Sequence, residues 1–194
     1  MSKLYFKYGV MGSSKTAVAL MCKFNYEQQG FKVLLLKPII DTRDVVDNKI
    51  IVKSRIGLSC DCHVITKDEN IKNLVRKTAG NWDIIIVDEC QFCTEKQIEE
   101  LKELSKYKTV LCYGLLTDFK TKLFEGSKRL VELADSLQEL KSVCKCGKKA
   151  NVNARFINGE LVNAGDVVAI ENCNNVEYKS MCYDCYTKLK KKEV

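Results

Sequence analysis

The chain has a single proline in 194 residues, Pro38, so no proline-rich linker divides it. It has no long apolar run. The runs present, Ile84–Val87 among them, are short against the roughly 20 residues that a membrane helix needs, so no membrane partner is expected. The opening MSKLYFKYG carries Lys3 and Lys7 but no continuous apolar stretch and no cleavage site, so no signal peptide is expected. Internal repeats and low-complexity stretches are missing. The composition, 46% hydrophobic and 29% charged, excludes collagen-like, mucin-like and wholly disordered chains. The length suits one full domain, or one domain with a small appended module. Charge is only mildly one-sided. Lys+Arg number 32 and Asp+Glu 25, a net +7 that suits anionic ligands. Part of it belongs to Lys188, Lys190, Lys191 and Lys192, a run that reads as a solvated face.

Cysteine, by contrast, is plentiful and odd in number: eleven. Seven are scattered, at Cys22, Cys60, Cys62, Cys90, Cys93, Cys112 and Cys173. Four form two close pairs, Cys144/Cys146 and Cys182/Cys185. So much unpaired thiol would misoxidise in a secreted protein. A reducing cytoplasm is the expected compartment, with the scattered thiols as small hydrophobes and the pairs as metal ligands.

Local patterns give an element order. Leu4–Tyr8 alternates as a strand and ends at Gly9. Thr16 to Gln29 reads as a helix stopped by Gly30, and Lys32–Lys37 as a short buried strand before Pro38. Together these spell one βαβ unit. Asp68–Ala79 has a helical stripe of Ile71, Leu74 and Val75, and Trp82–Val87 is a further buried strand. Thr94 and Gln97 form a capping box for a helix running to about Ser105. Thr109–Tyr113 is a strand, Ser127–Ala134 a helix and Leu137–Leu140 a final strand. Residues 144–185 turn rich in Asn, Gly, Lys and Cys, with strand-like runs such as Val167–Ile170. They hold too few apolar residues for a large core and read as a small module stapled by metal. The expected division is therefore an α/β core over 1–141 and a small metal-stapled module with a basic tail over 142–194.

Three constellations carry chemistry. Gly9-Val10-Met11-Gly12-Ser13-Ser14-Lys15-Thr16 joins the first strand to the first helix and follows G-x-x-x-x-G-K-[ST], except that Ser14 replaces the second glycine. Such a loop aims backbone N–H groups and a helix N-terminus at phosphate oxygens, with a lysine for the β/γ charge and a hydroxyl for Mg2+. The remainder of the loop, with an added glycine at Gly12, leads us to expect Ser14 in a conformation that tolerates a side chain. Asp88 and Glu89 sit at the C-terminal end of a buried strand, the sheet edge where ligands bind. One carboxylate there holds the Mg2+ shell and the other serves as base. Finally, the cysteine pairs supply four thiolates, a tetrahedral set that favours structural Zn2+; Gly147 follows the first pair, where a knuckle turn needs a positive φ.

In this order, these features resemble the type II thymidine kinase family, from about Leu4 to Tyr186. The stretches that carry the resemblance are YGVMGSSKT, KPIIDTR, SRIGL, IIIVDECQF, YGLLTDF, LFEG and the cysteine pairs. The resemblance implies a RecA-like parallel-sheet phosphate-loop core with a small zinc-bound lasso subdomain. It implies transfer of the γ-phosphate of ATP to the 5′-hydroxyl of thymidine or deoxyuridine, with Mg2+, giving dTMP in nucleotide salvage. It also implies a cytoplasmic homotetramer inhibited by dTTP, with no nucleic-acid partner. Residue by residue, Lys15 and Thr16 meet phosphate and Mg2+; Asp41, Arg43, Asp88 and Gln91 lie with the phosphate loop at the ATP site. Glu89 is the general base. Phe119 and Phe124 enclose the thymine ring, and Tyr178 and Ile170 belong to the lasso near the nucleoside. Besides Ser14 and Gly12, this chain departs from the family in the one-residue spacer of the first cysteine pair and in the longer ENCNNVE segment at 171–177. Two other readings compete. One is a RecA-like ATPase without a small-molecule acceptor, which has no use for LFEG. The other is a zinc-ribbon nucleic-acid module, which needs aromatics interleaved with Lys/Arg, hinted at only by Tyr183 and Tyr186 beside the tail.

Overall fold

A computed structural model describes residues 3–39, 45–46, 49–78, 80–165 and 175–190. Asp41, Arg43, Ile170, Cys173 and the strand-like run Val167–Ile170 lie outside the described residues.

The βαβ unit is present as β1 (Leu4–Tyr8), α1 (Lys15–Gln28) and β2 (Val33–Pro38). Three strands follow, β3 (Val45–Val46), β4 (Lys49–Lys53) and β5 (Ser59–Ile65). Then come α2 (Ile71–Lys77), β6 (Ile84–Val87), α3 (Glu95–Leu104), β7 (Thr109–Gly114), α4 (Glu125–Leu133) and β8 (Ser136–Glu139). All eight strands join one sheet in the order β3-β4-β5-β2-β6-β7-β1-β8. From β5 to β8 every pairing is parallel; β3, β4 and β5 pair antiparallel at the edge. This is the expected α/β core. The edge strands β4 and β5 were not expected. In β5, Ser59-Cys60-Asp61-Cys62-His63 alternates small thiols with polar groups, so no large apolar residue marks the period there, whereas Ile50, Ile51 and Val52 of β4 are an ordinary β-branched strand signal.

Apolar alternation builds both faces of the sheet. Leu4, Phe6, Leu34, Leu36, Ile85 and Val110 pack on one side against Ile71, Ile98, Leu101 and Leu130 of α2, α3 and α4. Val33, Leu35, Ile84, Ile86, Leu111 and Tyr113 pack on the other against Ala19 and Leu20 of α1. Cys90, Cys93 and Cys112 are buried in the first of these clusters, as small hydrophobes. The capping box forms: Gln97 N–H donates to Thr94 Oγ1, and Thr94 N–H to Gln97 Oε1. Gln97 does more. Its amide donates to the carbonyls of Thr66, Lys67 and Glu69, while Glu100 accepts from Asn70 Nδ2 and the Ile71 N–H. α3 thus binds the whole connection from β5 to α2. That connection holds Asn70 as N-cap, so α2 begins at Ile71, the first residue of the apolar stripe, and not at Asp68.

After β8 the chain forms β9 (Ser142–Val143) and β10 (Lys149–Ala150), then β11 (Val152–Ile157), β12 (Glu160–Val162), β13 (Val176–Met181) and α5 (Tyr183–Lys190). β12, β11 and β13 form an antiparallel sheet over a small apolar cluster of Val152, Ala154, Phe156, Leu161 and Tyr186. The core is as limited as composition implied. In the second cysteine pair, Cys185 lies in the first turn of α5.

A candidate active site at the sheet edge and a candidate metal centre

β1 ends at the phosphate loop and β6 ends at Asp88-Glu89, with β7 between them. At about 4.8 Å per strand, the two ends stand roughly 10 Å apart. Side chains cross that gap. Thr16 Oγ1 donates to Asp88 Oδ2 at 3.0 Å, and Lys15 Nζ, buried, donates to the Val10 carbonyl at 2.9 Å. Gly9 N–H meets the Gly114 carbonyl at 3.3 Å, tying the loop to the end of β7.

Charge here is held in low dielectric. Asp88 is only 2% exposed, and its pKa is pushed up to about 7, first by burial and then by the neighbouring Glu89 carboxylate. Burial also lowers the Lys15 pKa, and Glu89 and Asp88 oppose that shift. Asp88 Oδ1 and Ser13 Oγ are buried without hydrogen-bond partners among the described residues. An orphaned carboxylate oxygen next to the Thr16 hydroxyl is a donor set that fits Mg2+, a hard cation taking oxygen ligands.

Ser14 departs from expectation. It takes φ 61 and ψ 21, the left-handed region that its Cβ resists, so no permissive conformation spares it. Gly12, with φ 72, adopts the same region without that penalty. Glu89 is a second strained residue, with φ 53, where the chain leaves β6 for a 3-10 turn over Cys90–Phe92. That turn carries Gln91, which is buried and fully used. Its Nε2 donates to Glu89 Oε2 at 2.6 Å, and its Oε1 accepts from the Leu115 N–H at 3.0 Å. Gly114 makes room for it; a Cβ there would lie 2.6 Å from Gln91 Oε1.

The segment after β7 holds the predicted aromatics. Phe124 is the N-cap residue of α4 and meets Phe92 edge-on at 5.5 Å between centroids. Phe119 is buried, with the Arg155 guanidinium 3.5 Å from its ring centroid. Tyr178 lies directly opposite Arg155 in the β11–β13 register and is half-buried. Phe119, Arg155 and Tyr178 therefore belong to one junction. Arg155, Asn153 and Ser180 belong to no motif in the sequence, and Phe92 only closes IIIVDECQF, yet the fold brings all four to this region. The alternation of Asn153 and Arg155 with Val152, Ala154 and Phe156 is the sequence signal that marks them, at strand period.

The four thiols expected to meet do so. Cys144, Cys146, Cys182 and Cys185 place their sulfurs within 4.8 Å of one another, and Cys146 and Cys182 are 3.6 Å apart. A tetrahedral site with Zn–S of about 2.3 Å requires sulfurs about 3.8 Å apart, so the set fits Zn2+. The knuckle is formed as expected: Gly147 has φ 86, and its N–H donates to the Cys144 carbonyl at 2.8 Å. Backbone N–H groups of Cys146 and Cys182 lower the Cys144 thiol to about 6. Hydrogen bonds to Cys146 and Cys182 push Cys185 up to about 12, as crowded thiols resist shedding every proton without a cation among them.

The comparisons with known proteins agree with this geometry. The family model described as "Thymidine kinase" matches residues 2–186. The chain is 41% identical to the thymidine kinase of Enterobacteria phage T4, over 99% of both chains. It is 39% identical to the thymidine kinase of Vibrio parahaemolyticus, over 96% of this chain and 97% of that one. With that of Aliivibrio fischeri it shares 38% identity, over 94% and 95%. A phosphate loop facing a strand-end carboxylate pair, a four-thiol cluster and a family match across nearly the whole length lead to one conclusion: the chain belongs to the thymidine kinase family.

Proposed function

We propose that this protein is an ATP-dependent thymidine kinase. It moves the γ-phosphate of ATP to the 5′-hydroxyl of thymidine or deoxyuridine. The observation that carries the reading is the facing of Lys15 and Thr16 by Asp88 and Glu89 across one strand, fixed by the Thr16–Asp88 bond of 3.0 Å. Lys15 leaves the Val10 carbonyl for the β/γ-phosphates, and the amides at the start of α1 receive the anion. Thr16 and Asp88 would hold Mg2+, which when bound neutralises charge on the transferred group. Glu89 accepts the 5′-hydroxyl proton while the oxygen–phosphorus bond forms and the bridging bond to the β-phosphate breaks, releasing ADP. Gln91 holds Glu89 Oε2 and so leaves Oε1 for the hydroxyl. Phe124 and Tyr178 supply the aromatic surface for the base, and Phe119, buried beneath the Arg155 guanidinium, backs that surface from within. Cys144, Cys146, Cys182 and Cys185 bind one structural Zn2+; four thiolates leave no open position for catalysis.

The division into a core of 1–141 and a zinc subdomain of 142–194 belongs to the same reading. So do the homotetramer, inhibition by dTTP and a cytoplasmic location, all of which rest on the family. Among the described residues no helix is long and apolar enough to cross a membrane. The test is transfer of labelled phosphate from ATP to each natural deoxynucleoside, with a no-acceptor control. Label on thymidine or deoxyuridine is expected. Phosphate released equally without acceptor would instead identify an ATPase.

A further inference from the structure

β11 is buried on both faces, and the two faces differ in kind. Val152, Ala154 and Phe156 build the apolar cluster under α5. The opposite face carries Asn153 and Arg155, each only 3% exposed. In the antiparallel register Asn153 pairs with Ser180 and Arg155 with Tyr178, so these four residues share one face. That face lies against the core. Asn153 Oδ1 accepts from the Met11 N–H at 2.7 Å, and Asn153 Nδ2 donates to the Thr117 carbonyl at 2.9 Å. Ser180 Oγ donates to the Met11 carbonyl. Val10 packs against Cys144, Ala150 and Cys182.

Met11 is the middle of the phosphate loop, and both its backbone groups are engaged by side chains from the small sheet. Its N–H is therefore committed and does not turn to a phosphate. Ser13 N–H donates to the Val10 carbonyl at 3.2 Å, so among the described residues the loop's open donors are Gly12 and the amides from Ser14 toward α1. Thr117 belongs to the segment between β7 and α4, which carries Phe119 and Phe124. One buried amide side chain thus links the loop that receives ATP to the segment that receives the acceptor.

We propose that Asn153 is a positioning residue, which fixes the phosphate loop and the 115–124 segment in one frame and so sets the affinity for both substrates. Ser180 supports the loop alone. The acceptor half of this proposal rests on the thymidine kinase reading; the ATP half does not.

The experiment compares three variants of the full chain by steady-state kinetics and by direct calorimetric titration with Mg-ATP and with thymidine. Asn153→Ala removes both bonds and is expected to raise both Michaelis constants, and both dissociation constants, by about five- to tenfold, the usual worth of a buried hydrogen bond lost at each end. Ser180→Ala is expected to weaken ATP by about two- to threefold and leave thymidine within experimental error. Val152→Ala, from the opposite face of the same strand, is expected to lower Tm with both constants within about twofold of wild type. Should Asn153→Ala not fold, Asn153→Thr suits the strand and carries the same expectation. An Asn153 variant that lowers Tm but leaves both dissociation constants unmoved, as Val152→Ala does, would overturn the proposal. A wild type that phosphorylates no nucleoside overturns the kinase reading instead, and the ATP titrations still judge the tie to the loop.

Discussion

Among the described residues, sixteen buried ones fill one face of the large sheet, whereas the small three-stranded sheet rests on five: Val152, Ala154, Phe156, Leu161 and Tyr186. The two regions hold their site residues by different means. In the core, Ser14 and Glu89 adopt left-handed backbone angles that cost roughly 1–2 kcal/mol each, and the packed sheet beneath them absorbs that strain. The small sheet has no such reserve. Cys182 follows β13 directly and Cys185 lies in α5, while Cys144 and Cys146 come from the turn between β9 and β10, and the geometry of the four suits a metal crosslink. Function in the core should therefore fail by chemistry and leave the fold standing, while loss of the metal crosslink should take the small module's fold and function together.

The sharpest test of that contrast is Glu89→Gln. Turnover should fall by on the order of 10²–10⁴, with Tm and ATP affinity close to wild type, because the shape and the hydrogen bond from Gln91 survive. Kinetics beside thermal unfolding decides it, and a near-normal turnover removes Glu89 as the base.

Cys146→Ser should do the opposite. Zinc should drop from one per chain to almost none by elemental analysis. The transition of the small module should lose more than about 3 kcal/mol, since structural zinc supplies folding energy of at least that order. Full retention of zinc would point to a ligand outside this cluster, with Cys173 the first to test.

Asp88 gives a smaller effect with a pH signature. Its pKa is raised in the folded protein to about 7, above the ordinary carboxylate range. Between about pH 4 and 7 the folded state keeps a proton that the unfolded chain has released, so this group makes stability fall as pH rises through that window. Asp88→Asn should abolish the trend. It should stabilise the ligand-free protein by roughly 1–3 kcal/mol at pH 8 and by almost nothing at pH 4, while activity is lost. Thermal melts of both proteins across that range check it; parallel curves would refute the burial of an ionised Asp88.

Ser14→Gly is the mildest. Relief of one left-handed serine should add about 0.5–1 kcal/mol, and the Michaelis constant for ATP should move less than about tenfold. A destabilised variant would mean that Ser14 makes a compensating bond once nucleotide is bound.

What the sequence made legible was local. The strand–loop–helix of residues 4–28, the strand-end carboxylates and the capping box of Thr94 and Gln97 each lie within a few residues, and each formed. The thiol cluster was legible because its chemistry admits few partners. What stayed hidden depends on distant neighbours. The left-handed angle of Ser14 follows from how the loop is held, and nothing in GSSKT encodes it. The cover of Arg155 over Phe119 joins residues 36 apart in sequence, so Phe119 reads as an open aromatic until the fold is seen. β5 is hard to read because thiols stand where valine or isoleucine would mark a strand, whereas β4, with Ile50, Ile51 and Val52, carries the ordinary strand signal.

The hold of α3 on the connection between β5 and α2 bears on where this chain tolerates new ends. By composition, Thr66–Asn70 is an ordinary polar surface loop, the sort of place chosen for an inserted tag or a circular permutation. Yet Gln97 and Glu100 occupy its carbonyls and amides one after another, so lengthening or cutting it would orphan those two buried side chains in the core. The tip at Tyr107, between α3 and β7, presents an 82% exposed ring and is the better place to open the chain.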